Sequence, residues 1–404
     1  MATSTEVVVV GAGPAGSAAG AWAAQAGYDV TVIDAATFPR DKPCGDLLSP
    51  RAVAELRRLG MSSWLTTRAC HRGLVMSGFG AQRALPWPTC SLPSTSTAVP
   101  RRELDDQIRR VAASRGAKMI LGTKAVSVRH NSTGAVEALI LNNGDEIPCR
   151  WLIVADGARS TLGRRLGRVW CRDSVYGVAI RCYASSPRHS EDWVSGDLFT
   201  SRHGRPVPGY GWVFPLGNGE VNIGVGTMST PKRHADMALR PLLDDYVALC
   251  RQKWGFSSDV RAPLSAALPM GGAVTGVAGP NWMLVGDAAG LINPLNGEGI
   301  DYALESGRLA AELLDADDVQ HWPNVLRHHY GRSHSAARRL ARLLTHPTFL
   351  TTLGPLGMRS SILMAVGLRI MGNLITEDDA DWISRTWRTA GAMSARTERR
   401  SPFT

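Results

Sequence analysis

The spacing of apolar residues divides the chain into stretches of different period. After Glu6, the run Val7 to Val10 is unbroken, the pattern of a strand buried on both faces of a parallel sheet. Alanines 15, 18, 19, 21, 23, 24 and 26 then predict a small-residue helix, ended by Gly27, and Asp29 to Ile33 predicts a second strand ending at Asp34. A helix is predicted from Pro50 to Leu59. Arg72 to Pro88 turns strand-like, with Pro/Ser/Thr punctuation to Pro100, and reads as a segment of a second domain. Arg101 to about Ser114 returns to helix, followed by strands near Met119–Leu121 and Ala125–Arg129. A hairpin turning at Asn142-Asn143-Gly144 then leads into Arg150–Val154.

From about Cys171 to Met270 the alternation is β-like. Within it Tyr210, Trp212, Phe214 and Leu216 share one strand face, ahead of a hairpin turn at Gly217-Asn218-Gly219. A short apolar strand, Trp282 to Val285, enters Gly286-Asp287. After the turn Asn296-Gly297-Glu298-Gly299, the residues Ile300, Ala303, Leu304, Gly307, Ala311 and Leu314 mark one stripe of a helix. Residues 320–404 are predicted mostly helical, with the apolar run interrupted at Gly354-Pro355, Arg359 and Arg369, so that nothing is expected to reach the ~20 residues of a spanning helix.

Composition narrows this little. With 404 residues, 44% apolar and 20% charged, the chain is an ordinary globular one of roughly two to three domains. The N-terminus has no basic region before its apolar run and reads as a strand rather than a secretory signal. Seven scattered cysteines, without C-x-x-C or metal-type Cys/His spacing, suggest reduced thiols in the cytoplasm and no metal site. The net charge of +10 suits an anionic surface, and no nucleic-acid-binding motif accompanies it. From Arg332 to Thr376 there are six arginines (332, 338, 339, 342, 359 and 369) and no acid, interleaved with apolar patches. That is the pattern of basic amphipathic helices lying on a membrane. A solvated arginine face over a helical core is the plainer alternative.

The candidate chemistry sits at the turns. Gly11-Ala12-Gly13-Pro14-Ala15-Gly16 forms G-x-G-x-x-G between a strand and a helix, with Asp34 ending the next strand. The glycines allow a pyrophosphate to approach, and the acid can bind a ribose hydroxyl. Asp156-Gly157 and Gly286-Asp287 put two further carboxylates at strand ends. The helix start after Gly299 favours a ligand that gains negative charge, as a reduced flavin ring does. No second G-x-G-x-x-G follows, so flavin is the expected redox group, with an unidentified electron donor. Cys44, between Lys42 and Gly45, is expected to be an exposed thiol. The Tyr210–Leu216 face is either core or the lining of an apolar channel.

In this order the motifs resemble the geranylgeranyl reductase family of FAD-dependent oxidoreductases, from about residue 5 to 320. The resemblance implies an α/β fold: a p-hydroxybenzoate hydroxylase-like, Rossmann-type FAD-binding domain interleaved with an antiparallel-sheet substrate domain, plus a helical C-terminal region. The expected FAD-binding segments are 1–71, 101–165 and 276–320. The substrate domain would take 72–100 and 166–275, and residues 321–404 would associate with the membrane. FAD is expected to contact Gly11, Gly13, Ala15, Gly16, Asp34, Lys42, Cys44, Gly45, Arg101, Asp156, Gly157, Asp287, Gly297, Gly299 and Ile300. Tyr210, Trp212, Phe214 and Pro215 match the Y-x-W-x-F-P signature that lines the family's isoprenoid channel. Leu47 departs from the family's C-G-x-G, and the proline ahead of Tyr210 is one residue closer than in P-x-x-Y.

The resemblance implies reduction of an isoprenoid double bond, here in the prenyl tail of the membrane quinone menaquinone, by a protein peripheral on the inner face of the cell membrane. Alternatives are a geranylgeranyl reductase acting on lipid or pigment precursors, a flavin-dependent monooxygenase or halogenase, and a non-catalytic membrane-surface or nucleic-acid-binding protein with a vestigial nucleotide fold. An isolated alkene offers no carbonyl to hold a carbanion, so a proton must accompany the hydride. Cys44, Tyr210 or a water are the candidate donors. Cys44, Tyr210 and Trp212 are the expected catalytic residues, with Cys44 at the site rather than as the proton source.

Overall fold

The computed structural model describes residues 5–398, 402 and 403, apart from 172–173, 201–203, 205, 231, 233–237 and 258. The residues that precede the first strand, 1–4, lie outside it. Two seven-stranded sheets organise the described chain. In the first, the unbroken apolar runs become a parallel core. Strands run in the order Lys118–Leu121, Val30–Asp34, Thr5–Val10, Glu146–Val154 and Trp282–Leu284, each parallel to its neighbour. The first half of Glu146–Val154 also pairs with Val136–Leu141, which pairs with Ala125–His130 in an antiparallel ribbon. Val7, Val8, Val9, Leu152, Ile153, Val154 and Leu284 are fully buried, as two-face coverage requires. Helices Pro14–Gln25 and Ile300–Asp315 pack on each other against this core, and Gly307 meets the first through its Ala15 carbonyl.

The second sheet runs Arg261–Leu268, Tyr176–Ser185, Glu220–Ser229, Gly209–Pro215, Trp193–Asp197, Gly73–Gly78 and Ala81–Pro86. All pairs are antiparallel except Trp193–Asp197 with Gly73–Gly78. One face carries Tyr183, Trp212, Phe214 and Leu216. The opposite face is covered by helix Leu239–Trp254 through Leu242, Leu243, Tyr246, Val247, Cys250 and Trp254. That helix corrects the β-like reading of residues 171–270. Its apolar positions recur at intervals of three and four, so the helical period was present in the sequence.

The C-terminal region is helical, with helices Arg332–Leu344, Pro347–Arg359, Ser361–Met371 and Trp382–Arg396. Gly354-Pro355 interrupts the apolar run without ending the helix. Pro355 lies inside Pro347–Arg359, and the break comes at Ser360, whose side chain accepts a hydrogen bond from Leu363 N and caps the next helix. The two helices bend by 113° there, and among the described residues no single helix is long and apolar enough to cross a membrane. Arg83, from the outermost strand of the second sheet, donates to the carbonyls of Met358 (3.3 Å) and Arg359 (2.7 Å), capping the first helix of the pair. The arginines do not form one exposed face. Arg338 is buried against the Gly271 carbonyl and Glu398, and Arg369 is buried on Asp381 (2.7 Å) and Asp379 (3.4 Å). Arg332, Arg339, Arg342 and Arg359 are exposed.

Candidate functional site

Four adjacent parallel strands deliver the predicted turn residues to one sheet edge: Asp34, Gly11, Asp156 and Asp287 all follow C-terminal strand ends, where open α/β sheets take ligands. Gly11 has φ +106°, and a Cβ there would lie 2.3 Å from the Ala155 carbonyl oxygen; one on Gly16 would lie 1.8 Å from that of Gly11. Only glycine fits at either position. Asp34 accepts from Ala12 N (2.7 Å) through Oδ2 and from Ala36 N (2.8 Å) through Oδ1, which fixes the acid beside the glycine turn. Asp156 accepts from Leu162 N (2.9 Å) through Oδ2, while Oδ1 is buried with no partner among the described residues. Burial pushes its carboxyl above the usual range. Gly11, Gly13, Ala15, Asp34, Asp156 and Gly157 line a cavity of about 290 Å³. A glycine-cleared floor and an orphaned carboxylate oxygen fit an elongated, hydroxyl-bearing nucleotide.

A second cavity, of about 220 Å³, meets the first at Pro14, Lys42, Asp287 and Ala303. Lys42 Nζ donates to Asp287 Oδ2 at 3.0 Å at this junction. Cys44, Gly45, Arg101, Gly297, Gly299 and Ile300 line the second cavity, so the sequence-predicted cofactor residues divide between the two spaces, except Gly16, which lines neither and packs against the Gly11 carbonyl. Its far wall is Tyr210, Trp212 and Phe214, with successive ring centroids 6.0 and 6.1 Å apart. Tyr210 Oη donates to the Asn296 carbonyl at 2.6 Å, tying the aromatic wall to the Asn296–Gly299 turn. Pro215, expected with these aromatics, does not line the cavity. Side chains alternate along a strand, and it falls on the face of Gly211 and Val213.

Cys44 is half-buried rather than exposed: its sulfur accepts from Asp46 N at 3.3 Å, its carbonyl accepts from Asn222 Nδ2 at 2.9 Å, and burial pushes the thiol up, so it stays protonated. Arg101 is buried and forms two hydrogen bonds to Asp105 (2.7 and 2.8 Å), a carboxylate it shares with Arg40 (3.0 Å). Sequence reasoning missed Asp46. It is fully buried with φ 65°, and Oδ2 accepts from both Tyr183 Oη (2.7 Å) and Asn222 Nδ2 (2.8 Å) while Oδ1 accepts from Arg101 N (3.3 Å). Burial pushes its carboxyl up to about 6 against these bonds. Asn222 also accepts from Trp212 Nε1 at 2.9 Å, so one amide joins the loop to the wall. A polar residue between the buried Val221 and Ile223 is the signal that could have identified it. Among the described residues, one surface cluster, His328, His329 and Glu377, could hold a metal ion, and none of the three lines either cavity.

The sequence matches the family described as FAD binding domain over residues 4–232. It is 64% identical to a menaquinone reductase of Mycolicibacterium smegmatis, with 100% of each chain covered. Identity to a menaquinone reductase of Mycobacterium tuberculosis is 60%, over 99% of this chain and 98% of that one. A digeranylgeranylglycerophospholipid reductase of Methanosphaera stadtmanae is 29% identical over 75% of this chain and 76% of its own. In structure, a geranylgeranyl bacteriochlorophyll reductase-like protein from Thermoplasma acidophilum is similar with TM-score 0.73 at 22% identity, covering 98% of this chain and 97% of that one. A flavin-dependent brominase is similar with TM-score 0.72 at 19% identity, covering 98% and 100%. At such identities these two likenesses speak to the fold alone.

Proposed function

The chain belongs to the FAD binding domain family and is an FAD-dependent oxidoreductase, and on that premise we propose that it saturates a carbon–carbon double bond in the prenyl side chain of menaquinone. The observation that carries this reading is the 64% identity across the whole of a menaquinone reductase. In the proposal, residues 1–71, 101–165 and 276–320 hold the cofactor and residues 72–100 and 166–275 cover the substrate. Gly11, Gly13, Ala15, Gly16, Asp34, Asp156 and Gly157 hold its nucleotide half. Lys42, Cys44, Gly45, Arg101, Asp287, Gly297, Gly299 and Ile300 surround its ring. FAD, reduced by an electron donor still to be identified, supplies the hydride.

The chain's own task is to exclude water and align the alkene. Tyr210, Trp212 and Phe214 provide an apolar surface for a tail with no polar handle, and the Asp46–Asn222 bonds hold the Cys44 loop against it. A prenyl chain must leave a bilayer to reach such a cavity, so we place the protein on the inner face of the cell membrane. The bent pair Pro347–Arg359 and Ser361–Met371 supports docking there. Leu356, Ile362 and Leu363 are 61%, 68% and 56% exposed, with Arg359 exposed at the bend.

The test is mass spectrometry of menaquinone and of geranylgeranyl diphosphate after incubation with chemically reduced holoenzyme. Menaquinone is expected to gain two hydrogens per bond saturated. Gain by the diphosphate alone refutes the quinone assignment, and gain by neither refutes prenyl reduction.

A further inference from the structure

Reduction of an isolated alkene requires an acid, and the two groups expected to provide it are engaged. The Tyr210 hydroxyl donates to the Asn296 carbonyl at 2.6 Å. Burial pushes both that phenol and the half-buried Cys44 thiol above their ordinary values, so each is a weaker acid than usual. One carboxyl lining the same cavity keeps an oxygen free of such engagement. Glu298 lies between Gly297 and Gly299, which both line the inner cavity, and itself lines it. Its Oε1 is buried without a hydrogen-bond partner among the described residues. The Tyr210–Asn296 bond holds the turn that carries Glu298 against the aromatic wall, so Glu298 stands where that wall meets the start of helix Ile300–Asp315.

We propose that Glu298 is the catalytic acid, giving its carboxyl proton to one alkene carbon as the other receives the hydride. The assignment rests on the reading of the protein as a prenyl reductase. In the step, the Glu298 O–H bond breaks and two C–H bonds replace the alkene π bond. The two electrons come with the hydride from the reduced cofactor, and the carboxylate regains its proton from water. A carboxylic acid is intrinsically the strongest of the three acids on this wall. It must also hold its proton until the step, and its surroundings favour the protonated form. Burial and the neighbouring Asp301 raise Glu298 well above the carboxylate range, opposed by Ser49, at the start of helix Pro50–Arg58, and by Asn296. Asp301, also buried, is itself pushed up to about 6 and accepts from Asn373 Nδ2 at 2.8 Å. Tyr210 and Tyr302 face Glu298 as neutral phenols. The nearby cation, Arg51, sits 3.4 Å from Glu305 and interacts with Asp301, so its charge is spent before it reaches Glu298.

The test compares wild-type holoenzyme with Glu298→Gln and Glu298→Asp by flavin absorbance, infrared spectroscopy and single turnover of pre-reduced enzyme with menaquinone. At neutral pH the wild type is expected to display a protonated-carboxyl C=O band that Glu298→Gln lacks and Glu298→Asp keeps. FAD content should be unchanged in both, and saturation should slow on the order of 10²–10⁴-fold in Glu298→Gln, with partial recovery in Glu298→Asp. An infrared spectrum unchanged by Glu298→Gln overturns the assignment, as does loss of FAD from both variants, which marks a structural role. If the wild type is active and Glu298→Gln matches it within about threefold, the acid role alone falls. A wild type inert toward menaquinone and geranylgeranyl diphosphate overturns the functional reading and this role with it.

Discussion

Asp46 decides how the Cys44 loop meets the aromatic wall. Replacing it by alanine leaves Tyr183 Oη and Asn222 Nδ2 as buried donors facing one vacated acceptor. At about 1–3 kcal/mol for each stranded donor, Asp46→Ala should cost about 2–6 kcal/mol of folding stability, and Asp46→Asn, which keeps one acceptor oxygen, should cost less. Denaturant titration of the holoenzyme measures this, and equal stability of Asp46→Ala and wild type would sink the clamp. At this scale the sequence was legible where backbone geometry dictates the residue: Gly11, Gly16 and the acids at strand ends. It was silent where a side chain's importance comes from partners far along the chain. Asp46 meets Tyr183 and Asn222 only after both sheets are assembled, and Glu298 acts through burial that no local spacing encodes.

At the level of elements, the C-terminal pair needs the largest revision. An acid-free arginine count suggested one charged face, but Arg338 and Arg369 are interior and hold loops and helices together. Four arginines stay exposed, and Leu353, Leu356, Ile362 and Leu363 stand exposed with Arg359 around the bend, the surface on which the proposed docking rests. Ile362→Asp with Leu363→Asp should abolish flotation with anionic liposomes. Arg359→Glu should weaken it by about 2 kcal/mol and less so in high salt, since each unit of charge near an anionic leaflet is worth about 1 kcal/mol and the change reverses one. Flotation unaffected by the paired aspartates would refute docking through this bend. Strands of the parallel core were readable because burial on both faces makes their runs continuous. The helix Leu239–Trp254 was missed because its surroundings alternate and its own period was overlooked.

For the whole molecule, buried titratable groups set opposing pH responses. His334 is 1% exposed, neither ring nitrogen has a partner among the described residues, and burial lowers it from 6.5 to about 3, with Arg338 adding repulsion. His71, fully buried, is lowered to about 4. For such groups the unfolded chain binds more protons below pH 6.5, so the stability they allow is complete above that pH and drains as pH falls towards their folded values. Asp46 and Asp301, raised from 3.8 to about 6, act in the opposite sense: they favour the folded state below pH 3.8 and lose that contribution as pH rises through 6. The histidine share is separable. Between pH 7 and pH 5, wild type should lose about 2 kcal/mol relative to His334→Gln, whatever the variant's stability at pH 7. Parallel pH profiles from denaturant titrations would show that His334 is not the source.

The pairing of Leu152 with Trp282 has a consequence for how the chain is made. On the ribosome, the strand Glu146–Val154 emerges with one edge bare, and its neighbour Trp282–Leu284 arrives only after five strands of the second sheet have been synthesised between them. Until then an apolar, fully formed strand offers unpaired amides and carbonyls to any other nascent chain. Closing the first sheet is therefore a late, long-range event. A transcript truncated before codon 282 would yield the glycine turn and Asp34 intact, yet leave a protein with an open edge suited to aggregation.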